Sequence, residues 1–338
     1  MLPEIERAGG VFRDENGTPG DEIAILRAHG CQLFRVRLFV DPDPNYSKTD
    51  GATQDMSTVR ALGKRIKSAG GQFMLDIHYS DTWADPGHQI KPKAWEGLDF
   101  DALEKRVGQY TSDVLKDLIG SGAAPDMVQV GNEITAGMIW PDGNVLNVPS
   151  EKQQVQWQQF ARLFNAGAKA VRAASSASAH PMRIILHIHG GGREGLPKWF
   201  FGKFDTAGSD FDIIGLSFYP AWGDSIDALK QNLSDVIGAY GKDVIVAETS
   251  YPWRPLPDIK AEPPMLWPQS PEGQEKFLRD LSAVIRAAPG GHGLGFMWWY
   301  SDAIQVPTKM RIWRTGSEAL FDSDGKALPA LGAFSSAP

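Results

Sequence analysis

The feature that most constrains this chain is a regular alternation between short apolar segments and longer amphipathic ones. Seven segments have the composition of buried strands, and they are residues 33–40, 72–79, 127–133, 183–189, 212–219, 244–251 and 294–300. Helical periodicity marks six intervening or following segments, which are residues 55–69, 101–119, 151–174, 196–204, 225–240 and 271–288. Strands that are apolar on both faces and joined by helices predict a parallel sheet with helical crossovers.

Two further features favour an α/β fold of the closed (β/α)8 class, the TIM barrel, over a doubly wound sheet. No glycine-rich phosphate loop follows the first strand, and nearly eight strand–helix units fit in 338 residues. The first barrel strand is apparently missing from the N-terminus, because only a helical stretch at 21–29 precedes the segment 33–40. We expect that strand to precede Met1, and irregular closure of the barrel is the alternative. No linker divides the chain, so a single domain over residues 1–338 is predicted.

Charge, apolar content and cysteine usage exclude several protein classes. The net charge is −7, from 34 basic and 41 acidic residues without a basic block, which argues against nucleic acid or an anionic membrane as partner. No apolar run is long enough to span a bilayer, and the opening residues are too polar for a signal peptide. The single Cys31 excludes an internal disulfide and a cysteine-type zinc site. We therefore expect a water-soluble globular protein.

Tryptophan is unusually frequent, with 11 residues. Trp157 and Trp199 fall in predicted helices, where they can belong to the core. The other nine lie at or beyond predicted strand ends, and they are Trp83, Trp95, Trp140, Trp222, Trp253, Trp267, Trp298, Trp299 and Trp313. Barrels carry their active sites at the carboxyl ends of the strands, so this placement favours the walls of a carbohydrate cleft over a bulky core.

Two glutamates end predicted strands, where burying a lone charge is costly. Glu133 closes the segment 127–133 directly after Asn132, and Glu248 lies near the end of the segment 244–251. Either one alone is compatible with a structural ion pair. Together, with aromatic residues around both, they favour glycoside hydrolysis, in which one carboxyl group protonates the leaving oxygen and the other attacks the sugar or activates water.

Several motifs resemble those of glycoside hydrolase family 53, the arabinogalactan endo-β-1,4-galactanases, which belong to clan A of retaining (β/α)8 glycosidases. The resemblance runs from Leu2 to Leu331. Its motifs are FRVR at 34–37, DIHYSDTWADPGHQ at 76–89, VQVGNEITAGMIWP at 128–141, GLSFYP at 215–220 and VAETSYPW at 246–253. The resemblance implies one glycosidase catalytic domain that cleaves galactan or type I arabinogalactan, the side chains of pectin.

The resemblance also implies residue roles. Glu133 becomes the general acid/base and Glu248 the nucleophile in retaining endo-hydrolysis of β-1,4-galactosidic bonds. Asn132 is expected to reach the 2-hydroxyl of the sugar being cleaved, and Arg37 and Tyr219 to hydrogen-bond Glu248 and keep it ionised. The remaining expected substrate contacts are His78, Asp81, Trp83, Trp95, His187, Trp222, Trp298 and Trp299, with Trp299 as the floor under the reacting sugar.

No cofactor or metal is predicted. His187 and His189 alternate on a predicted strand, a spacing that supplies metal ligands in some barrels, but no third ligand at a matching strand end accompanies them. Asp81 and Asp85 could hold a structural calcium ion, although loop carboxylates more often are solvated or cap turns. The expected partner is a polysaccharide, β-1,4-galactan or arabinogalactan, bound by a monomer. The resemblance implies an extracellular or periplasmic location.

The chain departs from the family pattern after two strands. HIHGG at 187–191 replaces the usual HLDNG, WYS at 299–301 replaces WEP, and Ala303 replaces an aromatic residue. These changes affect sugar contacts rather than the two glutamates. Two alternatives stay open: a sister retaining β-glycosidase that acts on another plant polysaccharide, and a carbohydrate-binding barrel without catalytic activity.

Overall fold

The computed structural model describes residues 2–43, 53–146, 148–178, 180–205, 208–256, 265–308 and 311–336. In these ranges strands alternate with helices, as the sequence predicts. One sheet has seven strands: β3 Leu33–Leu38, β4 Gln72–Ile77, β5 Met127–Val130, β8 Arg183–Ile188, β9 Ile213–Phe218, β10 Asp243–Thr249 and β11 Gly293–Trp298. Two hairpins consist of β1 Phe12–Arg13 with β2 Pro19–Gly20, and β6 Gly137–Met138 with β7 Gly143–Asn144.

The strand order in the sheet is β11-β10-β9-β8-β5-β4-β3. The ladders β3–β4, β4–β5, β5–β8 and β10–β11 are parallel, as expected for strands joined by helices. The fold class is therefore α/β with a parallel sheet, which confirms that part of the prediction.

The α-helices are α1 Leu2–Arg7, α2 Glu22–Ala28, α3 Met56–Ser68, α4 Phe100–Gly120, α5 Gln153–Ala177, α6 Leu196–Asp205, α7 Ile226–Tyr240 and α8 Pro271–Arg286. Short 3₁₀ turns occupy Lys93–Trp95, Ile134–Ala136, Ser150–Lys152, Pro220–Trp222, Pro289–Gly291, Trp313–Gly316 and Pro329–Ser336. Five helices begin at a residue whose side chain accepts a backbone N–H of the first turn: Asp21, Asp55, Asp99, Ser225 and Ser270. These caps explain why the helix starts were predictable.

The strands of the sheet end earlier than predicted. The backbone adopts a left-handed conformation at Tyr79, Glu133 and Tyr300, with φ values of 50°, 46° and 56°. A strand cannot continue through that conformation. The last predicted strand residues therefore lie in the loops that follow, and this places Glu133 outside the ladder.

The segment before β3 contains more regular structure than the predicted helical stretch at 21–29. It contains α1, the hairpin β1–β2 and α2. Phe12 packs edge-on against Phe321 with ring centroids 4.9 Å apart, and the backbone of Arg13 forms an isolated parallel β-bridge with that of Lys326. Among residues 2–32 these two short strands are the only ones, and neither belongs to the seven-stranded sheet.

Contacts along the chain divide it into two compact units. The Glu133 unit comprises Leu33–His189 and Lys198–Gly215, and the Glu248 unit comprises Met1–Gln32, Gly190–Pro197 and Leu216–Pro338. The assignment of residues 1–338 to one domain stays a prediction.

In the Glu133 unit the ladder is regular and its interior is apolar. Val36 pairs with Leu75, Leu75 with Val128, and Val128 with Ile184. All four of these side chains are buried. Helices α5 and α6 add packed aromatic rings to this core, and burial of such surface is the main stabilising contribution to a unit of this size.

In the Glu248 unit the β10–β11 ladder is interrupted. Val246 pairs with Phe296 but Thr249 pairs with Trp298, so β10 has one residue more than β11 across this interval. Such a bulge redirects a side chain, and the bulges of natural sheets often lie next to active sites. Glu248 lies inside this interval.

Candidate active site

The backbone at Glu133 is held in an uncommon conformation. Gly131 and Glu133 both have positive φ, 79° and 46°, and Glu133 leads directly into the turn Ile134–Ala136. The side chain is 8% exposed. A left-handed conformation at a residue with a side chain costs on the order of 1 kcal/mol and persists where surrounding contacts impose it.

Those contacts come from a buried polar network centred on Asn132. Its Oδ1 accepts from Arg35 Nη2 at 2.6 Å, from Gln129 Nε2 at 3.1 Å, and lies 3.1 Å from His187 Nδ1. Its Nδ2 donates to the carbonyl of Ala84 at 2.8 Å. The predicted hydrogen bond from Asn132 to a sugar 2-hydroxyl would therefore use the second hydrogen of Nδ2.

Asp76 supplies the negative charge of this network and is fully buried. It lies 2.8 Å from Arg35 and accepts from Gln129 Nε2 at 2.6 Å. Burial acts to raise the pKa of Asp76, but the Arg35 cation and the neighbouring His78 side chain outweigh it and hold that pKa below its usual value. Ala84 N–H donates to His78 Nδ1 at 3.0 Å, so a neutral His78 carries its proton on Nε2, which lies 3.1 Å from Asp76.

The two histidines of β8 and its end serve the same region. Burial, followed by the Arg35 cation and the neighbouring imidazoles of His78 and His189, keeps the pKa of His187 well below its usual value, so its imidazole is neutral. The backbone N–H of Glu133 points at His187 Nδ1 from 3.4 Å. His189 Nδ1 lies 2.7 Å from Thr135 Oγ1. The pair therefore supports the Asn132–Thr135 segment.

Several predicted substrate contacts form an aromatic group in the Glu133 unit. The Arg37 guanidinium lies 5.1 Å from the Trp83 ring centroid. Trp83 meets Phe39 edge-on at 5.1 Å and His78 at 5.8 Å. The predicted hydrogen bond from Arg37 to Glu248 stays a prediction.

The predicted substrate contact of Trp95 is corrected by its burial. Trp95 is 1% exposed and packs against Tyr110 at 5.5 Å and Tyr79 at 6.5 Å, so it belongs to the core. His187, which is fully buried, likewise presents no surface to a sugar. Asp81 accepts the backbone N–H groups of Asp41 and Lys93, which fastens two loops together.

In the Glu248 unit, Glu248 has the tyrosine partner that was predicted. It is 4% exposed, and Tyr219 Oη donates to Glu248 Oε2 at 3.1 Å. This confirms the contact. Next to it, Thr249 Oγ1 donates to the carbonyl of Phe218 at 2.7 Å, and Trp299 N–H donates to the carbonyl of Thr249 at 2.8 Å. Glu248 is therefore bound by Tyr219, and its neighbour Thr249 is held by residues of β9 and of the segment directly after β11.

Trp222 and Trp313 extend this region with aromatic surface. Trp222 is 49% exposed and its ring lies 4.6 Å from that of Tyr219. The Arg314 guanidinium lies 5.8 Å from the Trp222 ring and 5.4 Å from the Trp313 ring. Trp313 also meets Trp299 at 6.3 Å. Flat amphipathic rings of this kind are suited to sugar faces.

The loop that carries Trp313 is fastened to the segment after β10. Glu318 accepts from Trp313 Nε1 at 2.8 Å and from Ser250 Oγ at 3.0 Å. Burial raises the pKa of Glu318 against the opposing effects of Arg314 and these two donors. Trp298 Nε1 donates to the Glu318 carbonyl at 2.8 Å, so the side chain and backbone of Glu318 together fix three tryptophan-bearing segments.

The described residues hold neither a candidate metal site nor a candidate membrane-spanning helix. No group of three or more His, Cys, Asp or Glu side chains in the described ranges is arranged to hold a metal ion. None of the helices in those ranges is long and apolar enough to cross a membrane.

Sequence reasoning missed Arg35, Gln129, Asp224 and Glu318. Alternation along β3 places Arg35 and Arg37 on one face, and this signal could have identified Arg35 as a second inward cation. No local pattern marks Glu318, because its partners Ser250 and Trp298 are brought to it by the fold.

Comparison with known proteins places this chain in a family. The sequence model of glycosyl hydrolase family 53 matches residues 1–334. An arabinogalactan endo-β-1,4-galactanase of Cellvibrio japonicus is 33% identical over 347 residues, which cover 97% of this chain and 86% of that protein.

Two solved structures agree. The family 53 catalytic domain of Ignisphaera aggregans matches with a TM-score of 0.86 and 32% identity, over 98% of this chain and 92% of that one. The structure of a fungal β-1,4-galactanase, one of two solved together, matches with a TM-score of 0.84 and 30% identity, over 99% of this chain and 96% of that one. The predicted α/β fold of the (β/α)8 class is confirmed. This chain is a glycoside hydrolase and belongs to glycosyl hydrolase family 53.

Proposed function

We propose that this protein is a retaining endo-β-1,4-galactanase that cleaves galactan or type I arabinogalactan. The observation that carries the proposal is Glu248, a carboxylate 4% exposed in a strand bulge and hydrogen-bonded by Tyr219 at 3.1 Å. A hydrogen bond donated by a tyrosine favours the ionised carboxylate, the form that a nucleophile requires. The galactanase relatives support the substrate class.

In the proposed first step, Glu248 attacks the anomeric carbon and the glycosidic C–O bond breaks. Glu133 gives its proton to the leaving oxygen, and a covalent galactosyl–Glu248 ester forms. In the second step, Glu133 takes a proton from water, the water oxygen attacks the anomeric carbon, and the ester bond to Glu248 breaks. Asn132 and the aromatic surfaces of Trp83, Trp222, Trp298 and Trp299 would hold the sugar chain.

The test compares galactan hydrolysis by the wild type, Glu248→Ala and Glu133→Ala. Both variants should lose at least 1,000-fold in kcat, as expected when a group of the reacting pair is removed. Glu272→Ala, an exposed glutamate in α8, is the matched control and should keep full activity. Substantial turnover by Glu248→Ala would refute the nucleophile assignment.

The anomeric outcome is a separate test of the mechanism. Proton NMR of the first products should show the β-anomer before mutarotation. With azide and an activated aryl galactoside, Glu248→Ala should form the α-galactosyl azide, because azide then attacks from the face that Glu248 vacates. A first product of α-configuration from the wild type would contradict retention.

A sister retaining glycosidase with another β-linked plant polysaccharide as substrate is the second candidate. It is favoured by residues 190–192, three glycines that follow β8 and carry no side chain for sugar contacts. Gly191 N–H donates to the Ser217 carbonyl at 2.7 Å, which leaves this segment close to the β9 backbone. Reducing-sugar release from galactan, arabinogalactan, mannan and xylan separates the two candidates, and binding of galacto-oligosaccharides without hydrolysis would support a non-catalytic barrel instead.

The proposed chemistry uses two carboxyl groups and no cofactor. Activity should survive dialysis against a chelator, whereas its loss and recovery with calcium would reveal a structural ion. We further propose that the protein acts as a monomer outside the cytoplasm, either extracellular or periplasmic, where pectin fragments are found. This location rests on the family resemblance.

A further inference from the structure

Asp224 is a buried carboxylate outside the proposed catalytic pair. It follows the turn Pro220–Trp222, and its side chain is 5% exposed. Asp224 Oδ2 accepts the backbone N–H of Tyr219 at 2.9 Å, and the carboxylate also accepts the backbone N–H of Gly192. One carboxylate thus holds the residue that follows β9 and the segment that follows β8.

The neighbouring glycine makes this arrangement possible. A Cβ atom at Gly192 would lie 2.6 Å from Asp224 Cβ and 2.8 Å from the Phe218 ring, both far inside van der Waals contact. The next residue, Ser225, donates its backbone N–H to the Gly192 carbonyl at 2.9 Å. The side chain of Asp224 is therefore packed tightly enough to transmit a change in its hydrogen bonds to the turn.

Tyr219 connects Asp224 to the proposed nucleophile. Its backbone N–H is bound to Asp224, and its hydroxyl donates to Glu248. Its ring is fixed against Trp222 on the same turn, at 4.6 Å. The position of the hydroxyl consequently depends on the conformation of the turn that Asp224 holds.

We propose that Asp224 is a positioning residue, whose ionised carboxylate holds Tyr219 where its hydroxyl can hydrogen-bond Glu248 and thereby makes turnover depend on a carboxyl group outside the catalytic pair. This inference rests on the proposed role of Glu248.

The electrostatic setting supports this role. Burial raises the pKa of Asp224 to about 6, against the opposing effects of the Tyr219 N–H, the Arg193 cation and the Gly192 N–H. Arg193, which is half exposed, faces the carboxylate from the segment Gly190–Pro197 at 3.8 Å. Protonation turns an accepting carboxylate oxygen into a hydroxyl donor, so Asp224 becomes a weaker acceptor for the two backbone N–H groups as the pH falls through about 6.

The decisive measurement is the pH profile of kcat on galactan. The wild type should show an acid limb near pH 6 that is absent from Asp224→Asn, whose kcat should be lower by about tenfold at pH 7 with little change in KM. Arg193→Gln should shift the limb to higher pH, because the cation that favours ionised Asp224 is removed. Asp227→Asn, at an exposed carboxylate three residues along, should leave profile and kcat unchanged.

Two outcomes would overturn the proposal: an acid limb near pH 6 that persists in Asp224→Asn, or a kcat of that variant equal to the wild type. The first outcome, combined with a loss of kcat, would assign Asp224 a purely structural role.

A second readout does not require activity. A carboxyl group with a raised pKa in the folded state binds its proton more tightly there than when unfolded, so it lowers Tm as the pH rises from about 4 to about 6. Asp224→Asn should remove that part of the pH dependence of Tm, and the wild type, but not this variant, should change its tryptophan fluorescence over the same range. If these differences appear while galactan is not hydrolysed, the proposed function has failed, but the conclusion that the turn responds to ionisation of Asp224 is retained. If the differences are absent, the inference about Asp224 has failed.

Discussion

The residues around Glu133 and those around Glu248 differ in how buried charges are stabilised. Near Glu133, Asp76 has a lowered pKa and His187 stays neutral, so a buried polar network holds fixed charge states. Near Glu248, aromatic rings dominate, and the buried carboxyl groups of Asp224 and Glu318 have raised pKa values.

This difference suits the two proposed roles. A general acid/base must change its own protonation during each cycle, so a neighbourhood of fixed charge keeps its surroundings constant. A nucleophile stays ionised until it reacts, and its neighbourhood can respond to pH without altering that role. We therefore expect substitutions near Glu133 to act mainly on stability, and substitutions near Glu248 to act mainly on turnover.

The largest effect is expected from Arg35→Met. The variant leaves the fully buried Asp76 without its guanidinium partner, and breaking a buried ion pair costs about 3–5 kcal/mol of unfolding free energy. Urea denaturation measures the loss. Arg60→Met, which breaks the partly exposed pair with Asp117, is the control and should have a much smaller effect. Equal losses of unfolding free energy in the two variants would mean that the buried Arg35–Asp76 pair contributes no more to stability than an exposed pair.

Tyr219→Phe should act on turnover instead. Removing the hydroxyl that donates to Glu248 should lower kcat by about 10- to 100-fold, the range expected for one hydrogen bond to a charged group, with little change in unfolding free energy. Tyr79→Phe is the contrasting control, since its hydroxyl pairs with Thr111 in the core. It should lose about 1 kcal/mol of stability and keep its kcat. A loss of stability in Tyr219→Phe together with a loss of kcat in Tyr79→Phe would contradict the expected difference between the two regions.

His187→Asn tests the fixed charge state near Glu133. The folded-state pKa of His187 lies well below its usual value of 6.5. As the pH falls below 6.5, the unfolded chain gains a proton that the folded chain does not, so stability falls by up to about 1.4 kcal/mol per pH unit. Unfolding free energies between pH 6.5 and 5 should show this slope in the wild type and lose it in His187→Asn. The exposed His88→Asn should retain the slope.

The smallest effect, and the only stabilising one, is expected from Thr315→Gly. Thr315 is exposed, β-branched and left-handed, with φ 51°. Glycine adopts this conformation without steric cost, so unfolding free energy should rise by about 0.5–1 kcal/mol after the added flexibility of the unfolded chain is subtracted. Thr58→Gly, in the first turn of α3, should instead destabilise. Destabilisation by Thr315→Gly would show that the threonine side chain itself supports the loop.

Much of the fold follows from local signals. The six predicted helices match the observed ones to within three residues, because capping side chains and apolar periodicity act over a single turn of chain. The strand ends that carry Glu133 and Glu248 were predictable for a similar reason, since carboxylates after apolar strands are rare unless they have a function.

Contacts between distant residues were less predictable. The Tyr219–Glu248 hydrogen bond was expected through family resemblance and is present. The partner of Asn132, however, is Arg35, and Trp95 is a core residue with 1% exposure. Both arginines of β3 face the same way, so alternation alone does not say which one meets Asn132.

The sequence by itself therefore determined the order of strands and helices and the family, and it singled out Glu133 and Glu248 as candidates, because each of these depends on patterns within a short stretch of chain. Only the tertiary structure decided that Asp224 and Glu318 belong to the surroundings of Glu248 and that Asp76 stays ionised when fully buried. Hydrogen bonds and desolvation at these carboxyl groups depend on residues up to 68 positions away, and those partners are brought together only when the chain has folded.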